Sequence, residues 1–566
     1  MNTKLNPCIF YHSDAYSMSG KKLMGRNAAG ASFLKGFLQH GRKVNNLSFY
    51  LSHTDSMDEV RRHVESAERT EYADFINRSG INKLKQTSSF YYPGPDISKL
   101  AQHRRLYGND QWSICGITHT TSSMSAMDAI VDWIIEPVQP WDAVICTSSA
   151  VKKNVEVVLQ ARVNELQERL GITKVALPHL PVIPLGIQTS DFIYSRRQRS
   201  EARSRICASD GALVVLYVGR LSFHAKAHPL AMYQAIEAAA QATGKEIILV
   251  ECGWHGNDYI EKAFAEGAAL ASPSVRVVNL DGRKSEDRET AWASADVFCS
   301  LSDNIQETFG IVPIEAMAAG LPVVVSDWDG YRDTVRDGVD GFRIPTIAPC
   351  PGMAGDLANR HALEIDTYDM YCGYSSSLVA IHLQKLIQAF IELFKSPELR
   401  QKMGSAGRKR AVEEYDWRDI IPRYENLWDE LTKIRLTAIK TRRDNDRATQ
   451  KSRKPDYWAA RLDPTIGFAN YPTQHLSMDT HLTLSDISAK IALSRLAQYK
   501  KLDMVSYASY VFPKDDEIKV ILKAAELSLP NSAPASALLE DISERRKPYV
   551  LRSLSWLCKL GILKFK

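Results

Sequence analysis

The sequence predicts an α/β protein built on doubly wound parallel sheet, and three observations carry that reading. The stretch ADVFCSLSDNIQETFGIVPIEAMAAGLPVVVSDWD, Ala295–Asp329, reads strand, loop, helix, strand. Upstream of it, from Leu213 onward, apolar runs alternate with helical stretches in the manner of successive βα units. The chain has 566 residues, 45% hydrophobic and 24% charged, which is length for at least two domains and ample core.

Within the first of these stretches, Val297–Leu301 is a short apolar run of the kind that forms a buried parallel strand. Polar residues Ser302–Gln306 form the loop off its carboxyl end. Gly310–Ala319 reads as a helix, with Thr308 as its cap, Pro313 in the first turn and Gly320 at its end. Leu321–Val325 is the next strand. Units of this kind bind ligands at the carboxyl ends of their strands. Glu307 lies in the loop and Glu315 in the helix, and Phe309-Gly310-Ile311 stands between them at the helix N-terminus. Unpaired backbone N–H groups and the helix dipole favour an anion there, and Gly310 lets it come close. An acid beside an anion site repels phosphate, so Glu307 is read as accepting hydrogen bonds from a polyol. The pattern describes a site for a sugar attached to a phosphate.

ETFGIVPIEAMAAGLPVV resembles the E-x7-E signature of retaining, nucleotide-sugar-dependent glycosyltransferases of family 4. The resemblance runs roughly from Pro7 to Arg435. It implies the GT-B fold: two Rossmann-like domains facing a cleft, here followed by a small, mainly helical domain at the carboxyl end. It further implies that Glu307 holds hydroxyls of the donor sugar and Glu315 the nucleotide ribose. A UDP- or GDP-sugar is then the donor substrate, with no cofactor and no metal. Two other readings stay open: a GT-B sugar-nucleotide epimerase or hydrolase, and a regulatory binding protein that contacts DNA through its tail.

Taken from the amino terminus, Cys8–Tyr11 is a first strand. Ser17–Gly30 (SMSGKKLMGRNAAG) is a basic, Gly- and Ser-rich loop leading into a helix. Family members carry a glycine-rich loop here, and Gly30 is its match, with Lys21, Lys22 and Arg26 nearby. Asp58–Ser79 is charged and helical in pattern, and Tyr91–Pro95 reads as a loop. Ser113–Ile117 is a strand that ends in Thr118-His119-Thr120, which sets His119 where a ligand binds rather than in the core. By resemblance, His119 faces the donor sugar. Trp141–Ser148 is another strand, and Ala150–Leu170 a helix. Val182–Ile187 resembles the family's I-P-x-G hinge, so the first domain spans 1–190.

The second domain spans 191–415. Its first strand, Leu213–Val218, leads into Gly219-Arg220-Leu221-Ser222-Phe223-His224-Ala225-Lys226. Gly219 permits a tight turn; Arg220 offers a bidentate fork and Lys226 a point charge. By resemblance both cations bind the donor diphosphate. Helix Pro229–Ala242, strand Glu246–Glu251, helix Tyr259–Ala271, strand Val275–Leu280 and helix Glu286–Ser294 follow. Arg283, just past a strand, matches the place where the family contacts the base. Phe309, Gly310 and Ile311 join the donor-binding set. The family's G-G-x-x-E appears here as Asp329-Gly330-Tyr331-Arg332-Asp333, a departure that stops an exact transfer of roles. Thr346–Tyr371 reads as a surface excursion. Leu378–Phe394 and Pro397–Glu414 are helices, and a crossing helix over 416–436 completes the first domain.

Residues 437–456 read as a charged linker, and 457–566 as an accessory domain. Ile487–Tyr499 and Lys514–Ser528 are helical in pattern, and Ala537–Phe565 resembles the closing half of a winged-helix module. That module is read as a docking or homo-oligomerisation element; the net charge of +5 is too small to argue for nucleic acid. The nine cysteines show no CxxC or zinc-finger spacing and read as reduced core residues of a cytoplasmic protein. No signal peptide or membrane span is visible, so any membrane contact is peripheral, at the inner face. The acceptor is a glycan, a lipid-linked group or a protein, in glycan, polysaccharide or glycoconjugate biosynthesis.

Overall fold

The structure is a computed structural model that describes residues 5–16, 25–53, 56–449 and 458–565, without the side chains of 25–27 and 443–449. The chain divides into two units, Met1–Trp458 and Ala459–Lys566.

The first unit holds two six-stranded parallel sheets, the GT-B arrangement. One is made of β1 (Cys8–Tyr11), β2 (Asn46–Leu51), β3 (Tyr72–Ile76), β4 (Ser89–Tyr91), β5 (Ser113–Ile117) and β6 (Ala143–Ile145), in the order β3-β2-β1-β4-β5-β6. The other contains β7 (Leu213–Val218), β8 (Ile247–Gly253), β9 (Arg276–Asp281), β10 (Val297–Ser300), β11 (Val323–Ser326) and β12 (Gly341–Ile344), in the order β12-β11-β10-β7-β8-β9. The strand order reverses between β1 and β4 in one sheet and between β7 and β10 in the other. Both switch points open a crevice at the carboxyl ends of the strands. Val214, Val215 and Leu216 are fully buried, as in-line apolar residues must be when helices cover both faces.

The amino-terminal sheet departs from the sequence expectation. The charged helix expected over Asp58–Ser79 stops at Ser66, and Tyr72–Ile76 is a strand. It forms the sheet edge, where Tyr72 is 70% exposed, so YADFI lacks the continuous apolar run of an inner strand. Tyr91, expected in a loop, is the last residue of β4 and fully buried. Gly30, expected in a loop near the donor, lies inside the helix Gly25–His40. A Cβ there would stand 2.0 Å from the Ala15 carbonyl oxygen, so this glycine lets the helix seat on the Ser13–Tyr16 turn. Lys21 and Lys22 lie outside the described residues.

The chain crosses between the sheets twice, side by side. Ile187 N–H donates to the Tyr415 carbonyl (2.9 Å), Trp417 N–H to the Ile187 carbonyl (3.1 Å), and Thr189 Oγ1 to Asp416 Oδ2 (2.5 Å). Trp417 is fully buried between Gly36 and Gly186, where a Cβ would come within 2.4 and 2.6 Å of the indole. The helix Trp417–Thr449 then returns onto the first sheet, with Tyr424 and Trp428 packed against Phe33, Phe37 and Tyr91. The span 437–456, expected as a linker, is helical through Thr449, and Arg442 pairs with Asp110. Its remainder, 450–456, lies outside the described residues.

The second unit has its own core around Leu482, Ile521, Leu522, Leu554 and Leu557. Helices Ala489–Tyr499, Asp515–Leu527 and Lys547–Lys559 pack on a three-stranded antiparallel sheet. Among the described residues, no helix is long and apolar enough to cross a membrane.

Candidate functional site

The loops leaving β7 and β10 meet at the second sheet's switch point. Gly219 has φ +150°, a conformation L side chains rarely adopt, and it turns the chain sharply off β7. Arg220 Nη2 then donates to the Ala225 carbonyl and to Gln306 Oε1, both at 2.9 Å. Lys226 pairs with Glu307. Asn304 ties the two loops together: its Nδ2 donates to the His224 carbonyl (2.9 Å) and its Oδ1 accepts from Gln306 N–H (2.9 Å). Two cations and an acid that stand about eighty residues apart in the chain thus become one cluster.

The helix after β10 runs Ile311–Ala318, and its cap is Gly310 rather than Thr308. Gly310 has φ +76°, and a Cβ there would sit 1.9 Å from the Tyr331 ring, so both backbone and space require glycine. Thr308 instead donates its hydroxyl to the His119 carbonyl at 2.7 Å, across the two sheets. His119 is thereby brought beside the Glu307 loop, as its place at the end of β5 implies.

The acids are held differently. Burial pushes the Glu307 carboxyl up, but the Lys226 charge, its hydrogen bond and the N–H groups of Thr308 and Phe309 outweigh this and leave it below the ordinary range. Glu307 therefore takes part of the helix-start N–H array for itself. Glu315, one turn into the helix, is pushed up to about 7 by burial, partly opposed by the Arg288 charge. Arg288, whose charge opposes that rise, donates to the Gly282 carbonyl (2.8 Å). Arg283 was expected, by resemblance, to contact the base. The structure turns Arg283 onto Asp281, with Nε and Nη2 donating at 2.9 and 3.0 Å, and leaves it largely exposed. Its neighbour in sequence explains this, since a two-residue turn puts Asp281 within reach.

A raised carboxyl makes a pH prediction. Between the ordinary carboxylate value and about 7, folded Glu315 holds a proton that the unfolded chain releases, so its contribution to stability is present at low pH and lost as pH rises through 7. Glu315→Gln, neutral throughout, is expected to match the wild type at pH 5 and exceed it by about 2 kcal/mol at pH 8 in urea unfolding. Parallel pH profiles for the two proteins would contradict a buried, proton-binding Glu315.

Three further features escaped the sequence reading. Asp303 and Glu251 are buried behind the cation loop and pushed up to about 7; Tyr233 donates its hydroxyl to Glu251 at 2.6 Å. Asp329 and Asp333 stand where the family pattern was lost, and they meet the start of the first domain's helix Ser149–Leu170, whose cap is Ser148. Ser148 Oγ donates to Asp329 (3.3 Å) and Ser149 N–H to Asp333 (2.6 Å), which sets acids at a helix N-terminus. Gly330 is kept because a Cβ there would lie 2.5 Å from the Phe309 backbone. Finally, the segment expected as a surface excursion folds into helices Gly355–Ala362 and Tyr368–Ser376, and the second returns to the site: Tyr368 Oη lies 2.7 Å from Ser122 Oγ.

Residues 198–348, which contain both cations and both acids, match the family model of glycosyl transferases group 1. Among curated proteins, the chain is 33% identical to a phosphatidyl-myo-inositol mannosyltransferase of Mycobacterium leprae over 27% of this chain and 32% of that one. It is 29% identical to a D-inositol 3-phosphate glycosyltransferase of Nocardia farcinica, over 29% of this chain and 36% of that one. The chain thus spans about a third of the length of these relatives. Among solved structures, HepE of Anabaena in complex with UDP and glucose aligns with a TM-score of 0.47 at 13% identity, covering 75% of this chain and 98% of that one.

Proposed function

We propose that the chain is a family 4 retaining glycosyltransferase that moves a hexose from a UDP- or GDP-sugar to an acceptor hydroxyl without a metal. The observation that carries this reading is the cluster of Arg220, Lys226 and Glu307 at the mouths of β7 and β10, with Glu315 in the helix that follows. The match of 198–348 to glycosyl transferases, and relatives named as mannosyl- and glycosyltransferases, support it.

In this reading the donor diphosphate lies against Arg220, Lys226 and the Phe309-Gly310-Ile311 backbone, where the N–H groups of Gly310 and Ile311 are left to it. Glu307 accepts hydrogen bonds from sugar hydroxyls, Glu315 from the ribose, and His119 approaches the sugar from the other sheet. The bond between anomeric carbon and phosphate oxygen breaks as the acceptor oxygen bonds to the same face of that carbon. The acceptor's proton passes to the departing phosphate oxygen. Charge grows on that phosphate, where preplaced donors are each worth about 3 kcal/mol to the transition state. The second unit contains none of these residues.

The test separates the two acids. A thermal-shift screen of UDP- and GDP-sugars first identifies the nucleotide, since a ligand that binds only the folded chain stabilises it. Calorimetry with the free nucleoside diphosphate then compares variants. Glu315→Gln is expected to weaken binding about ten-fold, the worth of one hydrogen bond, whereas Glu307→Gln keeps it within about two-fold but impairs transfer. Equal losses would contradict separate ribose and sugar roles, and no stabilisation by any nucleotide sugar would sink the transferase reading.

A further inference from the structure

Two short strands, β13 (Thr346–Ile347) and β14 (Ala380–Ile381), pair antiparallel, with Ile347 opposite Ala380. The intervening segment, 348–379, therefore leaves the second sheet and returns to the same point. It is built as an element of its own. Arg360 forks onto Asp366 at 2.7 and 2.8 Å, Thr367 Oγ1 accepts from Met370 N–H to cap the second helix, and His361 stacks on Tyr371 at 4.3 Å.

The second of its helices enters the crevice between the sheets. Tyr368 Oη shares hydrogen bonds with Ser122 Oγ (2.7 Å) and Thr120 Oγ1 (3.5 Å), both in the loop that carries His119. The Gln306 side chain lies near this phenol and acts on it electrostatically, and Gln306 Oε1 accepts from Arg220. Cys372 is fully buried beside Tyr368 and Ser122, and Gly373 seats on the cation loop, where a Cβ would lie 3.0 Å from that of His224. A continuous line of polar contacts thus joins Arg220, Gln306, Tyr368 and Ser122 across the two sheets.

We propose that segment 348–379 is a lid over the donor phosphates, latched by Tyr368, and that it keeps water from the donor; this rests on the transferase reading above. Water competes with the acceptor for the same carbon. Its oxygen would bond to the anomeric carbon, the bond to the diphosphate would break, and the proton would leave with the phosphate, giving free sugar and nucleoside diphosphate. A transferase that excludes water from this step favours transfer over hydrolysis. The position of the phenol, between the phosphate-side arginine and the opposite domain, suits a latch better than a core side chain.

Two variants of the full chain test this. Tyr368→Phe removes one oxygen. The second replaces 348–379 by an Asn-Gly turn between Ile347 and Ala380, a connection that antiparallel strands accept. Release of nucleoside diphosphate from UDP-glucose and GDP-mannose is measured without acceptor, together with hydrogen exchange of amides 118–123. Tyr368→Phe is expected to raise acceptor-free release about three- to ten-fold, the worth of a hydrogen bond, and to speed exchange in 118–123; the turn replacement should do both more strongly. Unchanged release overturns the lid, with or without faster exchange, and unchanged exchange overturns the latch. If neither donor stabilises the wild type in the thermal-shift screen, the transferase reading fails by itself, and the water-shielding role falls with it. The exchange data still decide whether Tyr368 ties the two sheets together.

Discussion

Replacement of Lys226 by alanine is expected to lower sugar transfer about 10²–10³-fold while leaving the fold intact, the loss typical of one preplaced donor at a developing oxyanion. Lys226 is the cation paired with Glu307 at the mouth of β7, so the variant removes a partner from a buried carboxylate as well as a charge from the phosphates. The two effects can be separated. If the loss came only from the stranded acid, adding Glu307→Gln would restore turnover toward that of Glu307→Gln alone. If Lys226 stabilises the leaving phosphate, the double variant stays as slow as Lys226→Ala or slower. Arg220→Ala belongs to the same class of loss. Single-turnover rates, with near-ultraviolet circular dichroism as the folding control, give the answer. Wild-type turnover in either cation variant would remove the phosphate clamp.

Trp417→Ala is expected to cost about 3–5 kcal/mol of stability, the range for deleting a large buried aromatic. The indole is fully buried, its Nε1 donates to Ser32 Oγ at 2.7 Å, and it lies against Gly36 and Gly186. Those glycines are there because the ring is there. Gly186→Ala should therefore destabilise the wild type, since its Cβ would stand 2.6 Å from the indole, yet cost little once Trp417 is alanine. Urea unfolding of the four proteins of this cycle measures the coupling. Additive effects would show that the ring is not what excludes a side chain at position 186.

The carboxyl-terminal sheet was legible in the sequence because its strands are covered on both faces. Val214–Leu216 and Val323–Val325 are unbroken apolar runs, and an unbroken run between helical patterns has few other readings. The amino-terminal sheet was harder. β3 is an edge strand with one face toward water, and β4 is three residues long, too short for any periodicity to show. The site divides the same way. Glu307, Glu315, Arg220 and Lys226 stand in local patterns whose chemistry can be read residue by residue. The pairing of Glu307 with Lys226, and the arrival of Tyr368 beside Ser122, are set by tertiary contacts far apart in the chain, and no local pattern announces them. Gly30 misled because a glycine in a Gly-Ser-rich stretch looks like a loop, whereas this one serves close helix packing.

The returning helix also sets an order on synthesis. The apolar face made by Phe33, Phe37 and Tyr91 is covered by Tyr424 and Trp428, which the ribosome makes last in this unit. At roughly 5–20 residues per second, the stretch between the two crossings takes on the order of tens of seconds to emerge. Throughout that interval the first sheet stands outside the ribosome with one aromatic face uncovered. The second sheet, whose strands and covering helices are contiguous in the chain, can close before it. The domain that is translated first is therefore the one completed last, and its uncovered face is where a nascent-chain chaperone would be expected to bind.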